Sequence, residues 1–207
     1  MKATQFKELT ATALGVPPAG MYVTIRTLRE AGFITFNGLR GRGAAERTLL
    51  DAAHVVVAYL AHERPGELAA DRIAPLFNLS LVPSDAPLPT FSLEQAVGMP
   101  PRGDFVSAIY HLLLAYALGD QAEGYAEACG LGRDGQPTPP DCRIELHQLA
   151  EPVASIRLGQ HLYHFDQFPT PVRGAAPPPP VERMAAIGTA TIAAIGQAFA
   201  EEERAPT

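Results

Sequence analysis

The chain has 207 residues, 47% of them hydrophobic and 18% charged, with a formal net charge of -6. That is enough chain to bury a real core, and the composition excludes collagenous and disordered classes, although 20 prolines and 18 glycines announce a loop-rich chain. Two cysteines, Cys129 and Cys142, are too few for a disulfide scaffold, and no stretch reaches the ~20 apolar residues that cross a bilayer, so the expected location is the cytoplasm, with no membrane partner.

Charge is unevenly spread. Residues 1–50 carry seven Lys or Arg against three Glu, or +4, and the remainder carries nine against nineteen acids, or -10. A basic first quarter on an acidic body points to a polyanionic partner held in one orientation.

In chain order, Thr4 to Leu14 reads as a helix capped by Thr4, with Phe6, Leu9, Ala13 and Leu14 inside. Leu14-Gly15-Val16-Pro17-Pro18 stops it, since Gly15 can take the left-handed conformation that ends a helix and proline suits the first turn of the next. From Ala19, the apolar positions Met21, Ile25 and Leu28 recur at helical steps and leave Tyr22, Arg26 and Arg29 on the other side. Phe33-Ile34-Thr35-Phe36 then turns β-prone, and Asn37-Gly38 leads into Leu39-Arg40-Gly41-Arg42-Gly43, a glycine- and arginine-rich ribbon tip suited to a phosphate backbone.

The run LGV, a short linker and a helix closing on LREAGFI resembles winged helix-turn-helix transcription regulators. The resemblance covers about a quarter of the chain. It implies that Pro18, Ala19, Tyr22, Val23, Arg26 and Arg29 face the major groove of double-stranded DNA, and that Arg40, Arg42 and, on the returning strand, Arg47 meet backbone or minor groove. The helix face has no Asn or Gln, so base-edge chemistry is thin and the ribbon is expected to supply more of the affinity. A looser resemblance, through Gly41-Arg42-Gly43-Ala44-Ala45-Glu46, is to small phage or gene-transfer-agent proteins of bacteria.

Beyond the ribbon, Thr48 and Asp51 have capping-box spacing, and the helix from Leu49 through Leu60 is apolar almost all round, which demands cover on several sides. His54 within it reads as a core residue. Glu67 to Asn78 forms a shorter helix, Ser92 to Val97 a helical turn, Asp104 to Leu118 the main helix of the second half, and Gln121 to Ala128 a short one. Alternation predicts strands at Cys142–His147, Ala154–Leu158 and His161–Phe165, a meander. A final helix over 181–203, with Met184, Ile187, Ile192, Ile195 and Phe199 as its stripe, is expected to serve association, with docking on its own meander as the alternative.

The expected fold is therefore α+β and mostly helical. A winged helix-turn-helix with its following helix spans 1–79, a connector 80–90, an α+β unit 91–168, a proline-rich strap 169–180 and the last helix 181–207. No phosphate loop, dinucleotide fingerprint or nucleophile elbow is present, and His161, His164 and His147, or Cys142 with His147, have spacings that point strand residues apart. The expectation is a non-enzyme without metal or cofactor, probing DNA as a homodimer and touching RNA polymerase or another transcription protein. The alternative is a winged-helix protein-interaction or phage-type assembly or packaging module with weak DNA contact.

Overall fold

The computed structural model describes residues 1–35, 45–61, 70–82, 103–118, 141–148, 152–159, 161–167 and 183–204. The ribbon tip with Arg40 and Arg42, the Ser92 turn, the Gln121 helix, Cys129 and the strap lie outside them.

Helices α1 (Ala3–Leu14) and α2 (Pro18–Glu30) are joined by the tight break expected from Gly15 and the prolines. Both helices end in the same way. Gly15 sits at φ 67° while its N–H reaches the Thr12 carbonyl and the Val16 N–H reaches Ala11; Gly32 sits at φ 81° while its N–H reaches Arg29 and the Phe33 N–H reaches Leu28. A left-handed residue satisfies the last carbonyls of each helix, and only glycine does so without a Cβ penalty. The N-terminal cap differs from expectation: α1 begins at Ala3, Thr4 lies inside its first turn, and the Gln5 side chain accepts the Lys2 N–H at 3.3 Å in place of a threonine cap.

Helix α3 (Leu49–Ala61) opens with the expected capping box: the Asp51 N–H donates to Thr48 Oγ1 at 3.2 Å and the Thr48 N–H to Asp51 Oδ2 at 2.9 Å. Its apolar circumference is covered within the same chain. Helix α2, the short α4 (Ala70–Phe77), α5 (Phe105–Leu118) and the sheet all pack on it. The Asp104 carboxylate caps α5 by accepting the Ser107 N–H at 2.7 Å.

The three strands of the expected meander form as β2 (Cys142–Gln148), β3 (Val153–Leu158) and β4 (His161–Asp166). Two more complete an antiparallel sheet: β1 (Ser80–Leu81) pairs with β4 at one edge, and β5 (Arg183–Gly188) pairs with β2 at the other, giving the order β1-β4-β3-β2-β5. Cys142, Ile144, Leu146, Ala154, Ile156, Leu158, Phe165 and Ile187 line its buried face. The alternation that made these segments readable as strands is what keeps one face apolar.

The last expected helix is corrected at its start. Residues 183–188 are strand β5, and only Thr189–Arg204 is helical, as α6. Met184 and Ile187, three apart, fit one helix stripe; on the strand they fall on opposite faces, with Met184 51% exposed and Ile187 buried. Local preference around Ala185-Ala186 is ambiguous, and pairing with β2 over six positions decides it. The stripe expected to serve association packs within the chain: Ile192, Ile195 and Phe199 are buried against α5 and α1, and the Phe6 and Phe199 rings meet edge to face at 6.2 Å. One core thus runs from Phe6 to Phe199 through both units expected from the sequence.

Candidate nucleic-acid interface

Helix α2 has two faces. Met21, Thr24 and Leu28 are buried, and Thr24 tolerates burial because its hydroxyl turns back to the Gly20 carbonyl at 3.4 Å. Pro18, Ala19, Tyr22, Val23 and Arg26 are exposed along the opposite side, joined at the end by Glu30. Tyr22 at 55% and Val23 at 38% are large apolar or aromatic surfaces left in water. Five of the six helix residues singled out from the sequence thus share one open face, and the sixth, Arg29, is half-buried at its margin.

The charge on that face is partly neutralised. Arg26 Nε donates to Glu30 Oε1 at 2.7 Å, one helical turn on, and the pair is exposed on both sides. The bond and the charge of Glu30 raise the guanidinium, and Arg26 in turn holds the Glu30 carboxyl below its usual range. The four-residue spacing made this pair legible in the sequence, yet Glu30 was not among the residues singled out there.

Arg47 takes a different place from its expected one. It is only 8% exposed, and its guanidinium donates to the Thr35 carbonyl. Burial lowers its proton affinity, Asp51 supports the charge, and the neighbouring Arg29 opposes it. A side chain engaged in this way holds the chain leaving α2 near the start of α3 and does not offer its charge outward. Thr35 and Asp51 are its partners; from the sequence the first carried no signal and the second read only as a cap.

The outer face of the sheet carries a second polar group. Glu145 accepts from Arg143 Nε at 2.5 Å and from Ser155 Oγ at 3.4 Å, and His147 Nε2 stands 3.7 Å away. Partial burial works to raise the Glu145 carboxyl, but the Arg143 bond and charge, helped by His147 and Ser155, hold it below the usual range. Ser155 donates to the Glu145 carboxylate and not to a histidine. Cys142 is fully buried on the inner face, with His147 on the outer one; desolvation pushes its thiol up to about 12, which keeps it protonated and inert. Among the described residues, no group of three or more His, Cys, Asp or Glu is placed to hold a metal ion, and no helix is long and apolar enough to cross a membrane.

Comparison with family models, with curated proteins and with solved structures finds no match to this chain. The functional reading therefore rests on the residues themselves.

Proposed function

We propose that the protein binds double-stranded DNA through the open face of α2, in the manner of a winged helix-turn-helix transcription regulator. The observation that carries the reading is the shared exposed face of Pro18, Ala19, Tyr22, Val23 and Arg26, standing opposite the buried Met21, Thr24 and Leu28. It is the arrangement a recognition helix requires, one side in the core and the other free to enter a groove. The +4 balance of residues 1–50 supplies attraction for phosphate, and Thr35 and Thr48, which meet on Asp51, bracket in sequence the segment that carries Arg40 and Arg42. A homodimer, if the protein acts as one, would draw on a surface other than the apolar stripe of α6, which packs within the chain.

Retention of duplex DNA across a salt series tests this directly. Affinity should fall steeply as salt rises, and Arg40→Ala with Arg42→Ala should weaken binding to all duplexes and flatten the salt dependence by roughly one unit of slope for each phosphate no longer neutralised. A wild-type protein with no salt-sensitive binding to any duplex overturns the reading.

A second reading has its own support. Glu30 neutralises Arg26, and Tyr22 and Val23 give the face an apolar centre, a pattern that also suits a protein partner in an interaction or assembly module. Salt-insensitive capture of a protein through Tyr22, with no DNA binding, favours it.

A further inference from the structure

Thr35, just beyond α2, and Thr48, just before α3, stand thirteen residues apart and meet on one carboxylate. Asp51 Oδ1 accepts the Thr35 N–H at 2.8 Å and the Thr35 hydroxyl at 3.1 Å, and Oδ2 accepts the Thr48 N–H at 2.9 Å. A capping box requires only the exchange between Thr48 and Asp51. The oxygen given to Thr35 is additional, and it ties the exit of one helix to the entrance of another.

The surroundings reinforce the tie. Asp51 is 2% exposed, and the Arg47 guanidinium donates to the Thr35 carbonyl, so Thr35 is gripped through its N–H, its hydroxyl and its carbonyl together. Phe33, two residues earlier, is wedged against Phe77 at 4.5 Å between ring centroids and against His54 at 6.0 Å. The segment that follows α2 is therefore held by a part-buried, charge-assisted network at Thr35 and by an aromatic cluster at Phe33. The shared carboxylate joins the chain leaving α2 to the start of α3, which restricts the direction in which the open face of α2 is presented.

We infer that Asp51 is a positioning residue for the DNA-reading face: it touches no DNA, and its two carboxylate oxygens set the angle of α2 against α3. This rests on the DNA-binding reading above. Electrostatics alone would give the opposite sign. Removing a negative charge from a unit that binds a polyanion ordinarily raises affinity, whereas removing a positioning group lowers it. Asp51→Asn makes the contrast sharp, because an amide offers one acceptor where the carboxylate offers two, so either Thr35 or Thr48 loses its partner.

The test is duplex affinity by fluorescence anisotropy with the full chain, across a salt series, for wild type, D51N, T35V and E46Q. Glu46 is an exposed acid five residues from Asp51, and E46Q serves as the charge control. D51N should bind about tenfold more weakly with an unchanged salt slope, and T35V, which keeps the capping box and the charge, about threefold more weakly. E46Q should bind as tightly as wild type or more so. Stoichiometric titration at saturating protein separates aim from folding, since an unfolded fraction lowers the active concentration and leaves the dissociation constant of the remainder unchanged. Tighter or unaltered binding by D51N overturns the inference, as does a loss confined to active fraction. If D51N does not fold, T35V decides alone, and wild-type affinity in T35V overturns it. A wild type without salt-sensitive DNA binding fails the functional reading itself, a result visible before any variant is compared.

Discussion

Helix α6 buries Ile192, Ile195 and Phe199 against α5 and α1, whereas α2 buries Met21, Thr24 and Leu28 and leaves Tyr22, Val23 and Arg26 in water. Both helices are amphipathic, and in both the apolar side is used inside the chain. The difference lies in what the other side holds. The outer residues of α6 are small or polar, including Ala194, Gln197 and Glu201, while those of α2 are an aromatic, a β-branched residue and an arginine. An apolar stripe identifies what a helix packs against, and the residues opposite it identify what the helix is free to meet.

Substitutions that touch the α6 interface should have the largest effects. Phe199→Ala removes a buried ring in edge contact with Phe6 and should cost about 3–5 kcal/mol in chemical denaturation, with the mass by light scattering unchanged. A variant of unchanged stability and lower mass would assign α6 to association after all. Next comes Gly196→Ala. A Cβ there would stand 2.6 Å from the Leu113 carbonyl oxygen and 2.9 Å from Tyr116 Cβ, so α5 and α6 must separate, at a cost of about 1–3 kcal/mol. Thr48→Ala, which removes only the hydroxyl that receives the Asp51 N–H, should cost about 1 kcal/mol.

Acid should act through His54, whose imidazole is lowered by burial against the opposing pull of the Leu50 carbonyl and of Asp51 and Asp104. A folded state that resists protonation contributes stability above the ordinary value of 6.5 and loses it as pH falls, because the unfolded chain takes up the proton first. His54→Phe should flatten that part of a stability profile, and an unaltered acid limb would show that other groups govern it. The smallest expected effect is on α2 itself. Glu30→Gln frees Arg26 and removes a negative charge from the open face, and should tighten duplex binding about twofold at low salt. Weaker binding would show that the ion pair holds Arg26 in a useful place.

Much of this was legible in the chain. Gly15 announced a helix end, Thr48 and Asp51 a helix start, and strict alternation announced three strands, because each of these signals arises from a backbone requirement met within a few residues. Strand β5 was not legible, since Ala185-Ala186-Ile187 suits either period and its choice is made by β2, about forty residues earlier. The open face of α2 was readable for the same reason its stripe was. The inward turn of Arg47 was not: nothing near it in sequence shows that Thr35 and Asp51 would converge on it, and basic residues beside a ribbon read as ligands until the fold supplies an internal partner.

The most direct test of DNA binding through α2 is amide chemical-shift mapping of the isotope-labelled full chain during titration with duplex DNA. The perturbations should concentrate on residues 19–30, strongest at Ala19, Tyr22, Val23 and Arg26, and around Arg40 and Arg42, and should leave the outer sheet residues Glu145, Ser155 and His164 in place. Perturbations centred on that sheet face with α2 silent, or none at any DNA concentration, would contradict the account.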